Sequence, residues 1–292
     1  MVKKWGILIV SIIFILNACS QIQPKKQTPV KSSNIPSAKE VKFPKIDHIV
    51  IVIEENHAQR QIIGNSSAPY MNSLINMGAN LTNYHAIEHP SQPNYLDLFS
   101  GSNQGVTDDD VPKTKFSTIN LASELIEKKY SFAGYSEDLP SIGFNGESSG
   151  DYARKHNPWV NFTNVPKKAN QPLENFPKDF NQLPTVSFVI PNLQHDMHDG
   201  TIKEADQWLE KQINPYVQWA KTNNSLLIVT WDEDDNSQDN KIPTFFVGPM
   251  VKNGQFSEQL NHFNLLRTLE DIYGLAHAAE SKSVEPITSV WK

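Results

Sequence analysis

His48-Ile49-Val50-Ile51-Val52-Ile53-Glu54-Glu55-Asn56 runs through five consecutive β-branched aliphatic residues and then turns abruptly acidic. An unbroken apolar run of this kind reads as a strand over Asp47 to Ile53, buried on both faces. Such strands belong to parallel sheets with helices on either side. The pattern then repeats along the chain. Ser131 to Tyr135, Thr185 to Ile190, Leu226 to Trp231 and Pro243 to Val247 are further strands. Pro69 to Met77 reads as a helix ended by Gly78, and Gln92 to Ser100 as one started by Ser91 and stopped by Gly101. Further helices are Asn120 to Lys129, Lys203 to Lys221 with Pro215 interrupting it, and Asn261 to Tyr273 stopped by Gly274. Apolar strands alternating with amphipathic helices predict an α/β fold, a mostly parallel, doubly wound sheet flanked by helices. In such sheets ligands sit outside the carboxyl ends of the strands.

Lys3 and Lys4 precede an apolar run from Trp5 to Ala18, closing on Leu16, Asn17, Ala18 and Cys19. A charged start, a short apolar core and a small residue before the cut mark an export signal, whereas a spanning helix needs roughly 20 apolar residues. Cys19 is the chain's one cysteine. It has no internal disulfide partner, and its place after the small residue points to lipidation, with unlipidated secretion as the other reading. Residues 20–45 are rich in Lys, Pro, Ser and Gln and poor in large apolar side chains, which predicts a flexible tether. The expected organisation is a signal over residues 1–18, lipidated Cys19 and tether over 19–45, and one large domain over 46–292.

That domain carries 18 basic against 31 acidic residues and is about 13 charges negative. Nucleic-acid binders neutralise many phosphates with Lys and Arg, so broad polyanion binding is excluded. An anionic substrate needs a local cation.

Polar residues gather where the strands end. Glu54, Glu55 and Asn56 follow the first strand, and Asp232, Glu233, Asp234 and Asp235 follow the one ending at Trp231. Carboxylate and amide oxygens ligate hard or borderline divalent cations, and like charges packed this closely repel without one. A solvated acidic loop is the plainer alternative. His195, Asp196, Met197, His198 and Asp199 follow the strand ending at Ile190, and Gly200 gives that loop room to turn. Their side chains are candidate ligands or proton donors, as is His156 in Lys155-His156-Asn157-Pro158; an inert histidine is the competing reading. In His89-Pro90-Ser91-Gln92-Pro93-Asn94-Tyr95, Ser91 reads as a helix N-cap with Pro93 tolerated in the first turn. The same position puts its hydroxyl beside exposed amides and the positive helix end, which suits a phosphoryl acceptor.

Taken in order, HIVIVIEEN (48–56), HPSQPNYLDLFSG (89–101), KHNPW (155–159), DMHDG (196–200) and LLIVTWDED (226–234) with IPTFFVGP (242–249) resemble a known family. It is the phosphoesterase family of bacterial acid phosphatases and phosphatidylcholine-type phospholipases C, within the alkaline phosphatase superfamily. The match runs from about His48 to Tyr273. The resemblance implies an alkaline-phosphatase-like fold and one divalent metal ion, of open identity, held by Glu55, Asn56, Asp232 and Glu233 together with the nucleophile Ser91. It also implies that Asn94, His156 and His198 bind the substrate phosphate, with either histidine as proton donor to the leaving alcohol. The family has a further histidine upstream of the serine, for which His85 and His89 both stand. Glu233 departs from the nearest phosphatase pattern, which has aspartate there, and agrees with the phospholipase branch. The chain also lacks the large insertions of many phospholipases C, which favours an open site for small monoesters.

The function implied is metal-dependent hydrolysis of small phosphate monoesters through a phosphoserine. The enzyme would sit outside the cytoplasm, held to the cell membrane by its lipid, with no nucleic-acid or protein partner. A phosphodiesterase or phospholipase C is the enzyme alternative, and a substrate-binding lipoprotein the non-enzyme one. Cys19→Ala is expected to block lipid attachment, releasing the protein or stalling it uncleaved, with the catalytic domain unaffected. Membrane fractionation checks this, and a variant that stays membrane-bound and normally processed would end the lipoprotein reading.

Overall fold

The central strand, His48–Glu54, is buried from Ile49 onward and pairs in parallel with strands on both sides. On one side Ile49 to Val52 face Val186 to Val189, and on the other His48 to Glu54 face Ser225 to Trp231. The computed structural model describes residues 1–2 and 42–292, whose folded unit lies within Val41–Lys292. The export signal, Cys19 and nearly all of the tether lie outside the described residues. No helix among the described residues is long and apolar enough to cross a membrane.

The sheet has eight strands in the order Gly254–Phe256, Ala79–Leu81, Thr244–Val247, Ser225–Trp231, His48–Glu54, Val186–Ile190, Phe132–Ser136, Asn170–Pro172. Thr244–Val247 runs against both neighbours and the other strands share one direction. The strands expected from apolar runs are all present within a residue or two. Ala79–Leu81, Asn170–Pro172 and Gly254–Phe256 were not expected, and their three residues each are too few to show a period.

Helix boundaries follow their caps. Thr201 and Glu204 form a reciprocal capping box on Ile202–Ala220, Asn120 caps Leu121–Glu127, and Asn261 caps His262–Tyr273, which Gly274 ends at φ 61°. Pro215 does not interrupt its helix as expected, because the buried face of Leu209, Ile213, Tyr216 and Val217 holds the chain through it. Tyr216 adds a hydrogen bond to Leu226 O at 2.9 Å, pinning the helix to the sheet.

Gly134, in Phe132–Ser136, is required by a close approach. A Cβ there would lie 2.1 Å from the Trp159 ring, whose indole donates to Asn170 Oδ1 at 2.8 Å. Trp159 thus anchors the short turns that carry Lys155 and His156 against the sheet.

Two buried carboxyls outside the site make stability pH-dependent. Burial and the Glu88 charge push Asp97, in helix Ser91–Ser100, up to about 8. Burial pushes Glu270 up to about 7 despite hydrogen bonds from Ser281 Oγ and Ala278 N. Both folded values exceed the ordinary ones, so their contribution is complete below about pH 4 and is lost as pH rises through 7 to 8. Asp97→Asn is therefore expected to flatten the decline in melting temperature between pH 4 and 8. An unchanged pH profile in the variant would refute the assignment.

Candidate active site

The ends of three neighbouring strands are laced together. Asp232 N donates to Glu54 O at 3.0 Å, and Glu55 N donates to Asp196 O at 2.8 Å. Asn56 turns the chain at φ 51°, in the left-handed region that asparagine tolerates, so that its N–H meets Asp232 Oδ1 at 3.2 Å. His262 sits behind Asp232, contacting its carbonyl through Nε2 and Tyr84 Oη through Nδ1, each at 3.1 Å. Burial lowers His262 to about 4, so it is neutral and donates its one ring proton to the Asp232 carbonyl. In the loop after Val186–Ile190, Met197 is held at φ 78°, and a Cβ on Gly200 would meet Gln194 O at 1.8 Å. That loop therefore turns only with glycine at 200.

Ser91 is the first residue of its helix and Pro90 is the cap, so the N-cap reading is corrected. The hydroxyl instead donates to Glu55 Oε2 at 3.0 Å and lies 3.5 Å from Glu233 Oε1. A carboxylate across the site has captured a group that capping would have turned back on the helix. The next amide, Gln92 N–H, is also engaged, by Asp109 Oδ1 at 2.9 Å.

Glu55, Asp232 and Glu233 converge with almost no exposure. Burial and the charges of Glu55 and Glu233 push Asp232 well above the carboxylate range, while burial and the charges of Glu55 and Asp109 push Glu233 to about 8. Glu55 goes the other way. Burial opposes its charge, but the adjacent His156 holds it below its usual value. His156 is wedged between Glu55 Oε1 at 2.9 Å and Asp196 Oδ2 at 3.3 Å. Burial works against its charge too, yet Glu55 and Asp196 raise it to about 9, making it an imidazolium at neutral pH. Tyr95 stacks on the ring at 5.0 Å and donates to Glu55 Oε1 at 2.8 Å.

The donors suit a divalent cation in two overlapping ways. Ligand-type atoms of Glu55, His156 and Asp196 lie within 4.8 Å of one another, a buried cluster compatible with a metal site. On the Ser91 side, Asp232 Oδ2 and Glu233 Oε2 are buried without a hydrogen-bond partner among the described residues, although His89 Nδ1 is 2.8 Å from the latter. Asn56 Nδ2 donates to Glu55 Oε2 at 3.1 Å, and its Oδ1 accepts no hydrogen bond from any described residue. The orphaned carboxyl oxygens of Asp232 and Glu233, with the neutral amide oxygen of Asn56 beside them, fit a cation.

The profile of the Phosphoesterase family matches residues 65–276. The chain belongs to the phosphoesterase family. It is 51% identical over 251 residues to a phosphatidylinositol-3-phosphatase of Mycobacterium tuberculosis, covering 85% of this chain and 84% of that one. It is 31% identical to the phosphate-repressible acid phosphatase of Penicillium chrysogenum over 70% of this chain, but spans only 54% of that protein. An alkaline phosphatase superfamily protein from Vibrio parahaemolyticus shares the fold, with a TM-score of 0.60 at 11% identity, over 85% of this chain and 72% of that one. This phosphoesterase is a phosphoric ester hydrolase, which sets aside the reading as a transport-binding lipoprotein.

Within this phosphoesterase, the structure brings Glu55, Asn56, Ser91, Asp232 and Glu233 together and separates the two upstream histidines. His89 faces Glu233, whereas His85 turns to Asp239 O at 2.9 Å and Asn83 Oδ1 at 3.1 Å. Asn94 directs its amide to the loop before the serine: Oδ1 accepts from Ile87 N and Glu88 N, and Nδ2 donates to Glu88 O and Pro90 O. Both ends of the amide are thus engaged with the loop that precedes Ser91. His198 is the accessible histidine of the expected pair, its side chain 32% exposed against 1% for His156. Asp234 closes its own loop through Asn236 N and Gln238 N, and Asp235 bonds Ser237. Asp196, named with its loop as a candidate ligand, lies in the site against His156, whereas sequence reasoning missed Tyr95 and His262, whose contacts join distant segments. Replacing His156 by Ala leaves Glu55 and Asp196 buried and unpaired. In chelator this is expected to lower the unfolding free energy by about 3–5 kcal/mol in urea titrations. An unchanged midpoint would show that no imidazolium bridges them.

Proposed function

We propose that the chain hydrolyses phosphate monoesters through a phosphoserine on Ser91, with one divalent metal ion held by Glu55, Asn56, Asp232, Glu233 and Ser91. The observation that carries this reading is the buried Ser91 hydroxyl aimed at Glu55 Oε2 instead of capping its helix. On the Ser91 side the orphaned oxygens of Asp232 and Glu233 join Glu55 and the serine hydroxyl; the His156 side, with unpartnered Asp196 Oδ2 and His156 Nε2, shares Glu55 with it but lacks the nucleophile.

A divalent ion in that set would supply the charge that stabilises a serine alkoxide and screens its approach to an anionic phosphate. The chain's own residues do the rest. Glu55 and the Asn94-bound loop fix Ser91, whose proton passes to Glu55 Oε2 along the hydrogen bond it already makes as Oγ bonds phosphorus and the ester oxygen leaves. His198, once it carries a proton on Nε2, gives that proton to the departing alcohol oxygen and regains one from the water that cleaves the phosphoserine. His156, buried between two carboxylates, stays behind as the counter-charge that keeps Glu55 ionised.

The relative named a phosphatidylinositol-3-phosphatase supports monoester over diester chemistry, since a phosphate removed from a ring hydroxyl is held by a monoester bond. Phosphodiesterase action is the second reading, favoured by Glu233 in the late acidic pair. The lipid anchor at Cys19, and with it a site of action outside the cytoplasm, belongs to the same proposal.

Brief incubation with an aryl phosphate followed by acid quench is expected to leave one phosphate on the Ser91 peptide by mass spectrometry. Ser91→Ala is expected to remain folded, to trap nothing and to lose turnover. A fully active Ser91→Ala protein would end the mechanism, and faster turnover of an aryl phosphodiester than of the monoester would reassign the substrate.

A further inference from the structure

The expected anion donors at the start of the Ser91 helix are not open. Gln92 N–H is held by Asp109 Oδ1, and the Asn94 amide is held by its own loop. His156 is enclosed by carboxylates. The substrate phosphate must nevertheless enter a strongly acidic site. Lys155, next to His156, supplies what is missing. Its Nζ donates to Asp109 Oδ2 at 2.9 Å and contacts His198 Nε2 at 3.3 Å.

We propose that Lys155 is the cation that binds the substrate phosphate, oriented for that task by Asp109. This rests on the monoesterase reading and names a residue it did not include. An ammonium carries three protons. Asp109 takes one, His198 Nε2 can accept a second, and no described residue accepts the third. The His198 contact is consistent with the opposite side of that ring, where Nδ1 lies 2.7 Å from Asp199 Oδ1 and is therefore the protonated nitrogen.

The side chain is only 15% exposed, which works against a charge, yet the fields of Glu55, Asp109 and Asp232 keep it protonated. It also follows directly along the chain from the site: the next residue, His156, lies 2.9 Å from Glu55 Oε1, the carboxylate that holds Ser91. A cavity of about 310 Å³, lined by Gln92, Asp109, Asp110, Glu147, Arg154 and Lys155 among others, opens on one side of it. Asp109 is itself pinned, because the Gln92 side-chain amide donates to Asp108 O at 2.9 Å and Asp110 O at 2.8 Å. The carboxylate that aims Lys155 is thus built onto the residue following the nucleophile. Asp109 acts as a positioning residue and Lys155 touches substrate.

The test is inorganic phosphate binding to the purified full chain, followed by calorimetry, with Ser91→Ala as background so that no turnover intervenes. Lys155→Met is expected to weaken phosphate binding by about tenfold or more, as loss of one charge-assisted contact requires. Lys155→Arg is expected to recover much of it, and Asp109→Asn to weaken it less than Lys155→Met. With Ser91 intact, KM for the aryl monoester should rise with the phosphate dissociation constant, which a merely structural lysine would not cause. Unchanged phosphate affinity in a folded Lys155→Met protein overturns the proposal. The binding experiment stands apart from phosphoserine trapping, so failure of the serine mechanism and failure of the lysine assignment are distinguishable.

Discussion

Three carboxylates, those of Glu55, Asp232 and Glu233, meet almost unexposed at the ends of two adjacent parallel strands, and the rest of the site answers to their repulsion. Like charges a few ångströms apart in a poorly screened interior cost several kcal/mol unless cations or protons intervene. The protein supplies two cations of its own. His156 lies on the inner side between Glu55 and Asp196, and Lys155 lies on the outer side beside Asp109 and His198. The polar donors Ser91 and Tyr95 take one oxygen each of Glu55. Oxygens of Asp232 and Glu233 remain without a hydrogen bond, which is where a divalent ion belongs in this account.

The sheet makes the convergence possible. Pairing Glu54 with Trp231 brings Glu55 and Asp232 out of the sheet at the same level, and the Asn56 turn ties them. A slip by one residue would send one of the two carboxylates to the opposite face. The loop after Val186–Ile190 then closes the third side, with Asp196 holding His156 and His198 facing solvent. Helix Ser91–Ser100, buried along its whole length, presents the hydroxyl from above.

Much of this was legible in the sequence, for local reasons. An unbroken β-branched run ending in Glu-Glu-Asn has few ways to fold, and the acids after Trp231 mark a second strand end of the same kind. What was not legible depends on approach between distant segments. Lys155 and Asp109 are 46 residues apart, and Tyr95 and Glu55 are 40 apart, so neither pairing has a local signature. Ser91 looked like a cap because capping is decided within four residues, whereas its actual partner lies across the site. Pro215 looked like a break because propensity ignores the packing that carries the helix past it. The edge strands were too short for any period to show.

The central claim is that the buried carboxylate set is completed by one divalent ion. Native mass spectrometry of the purified full chain, with elemental analysis of the same sample, tests it most directly. The account predicts one divalent metal per chain, retained through dialysis and lost together with turnover when Asp232 is replaced by Asn. A metal-free chain that turns over phosphate monoesters at the full rate would contradict it.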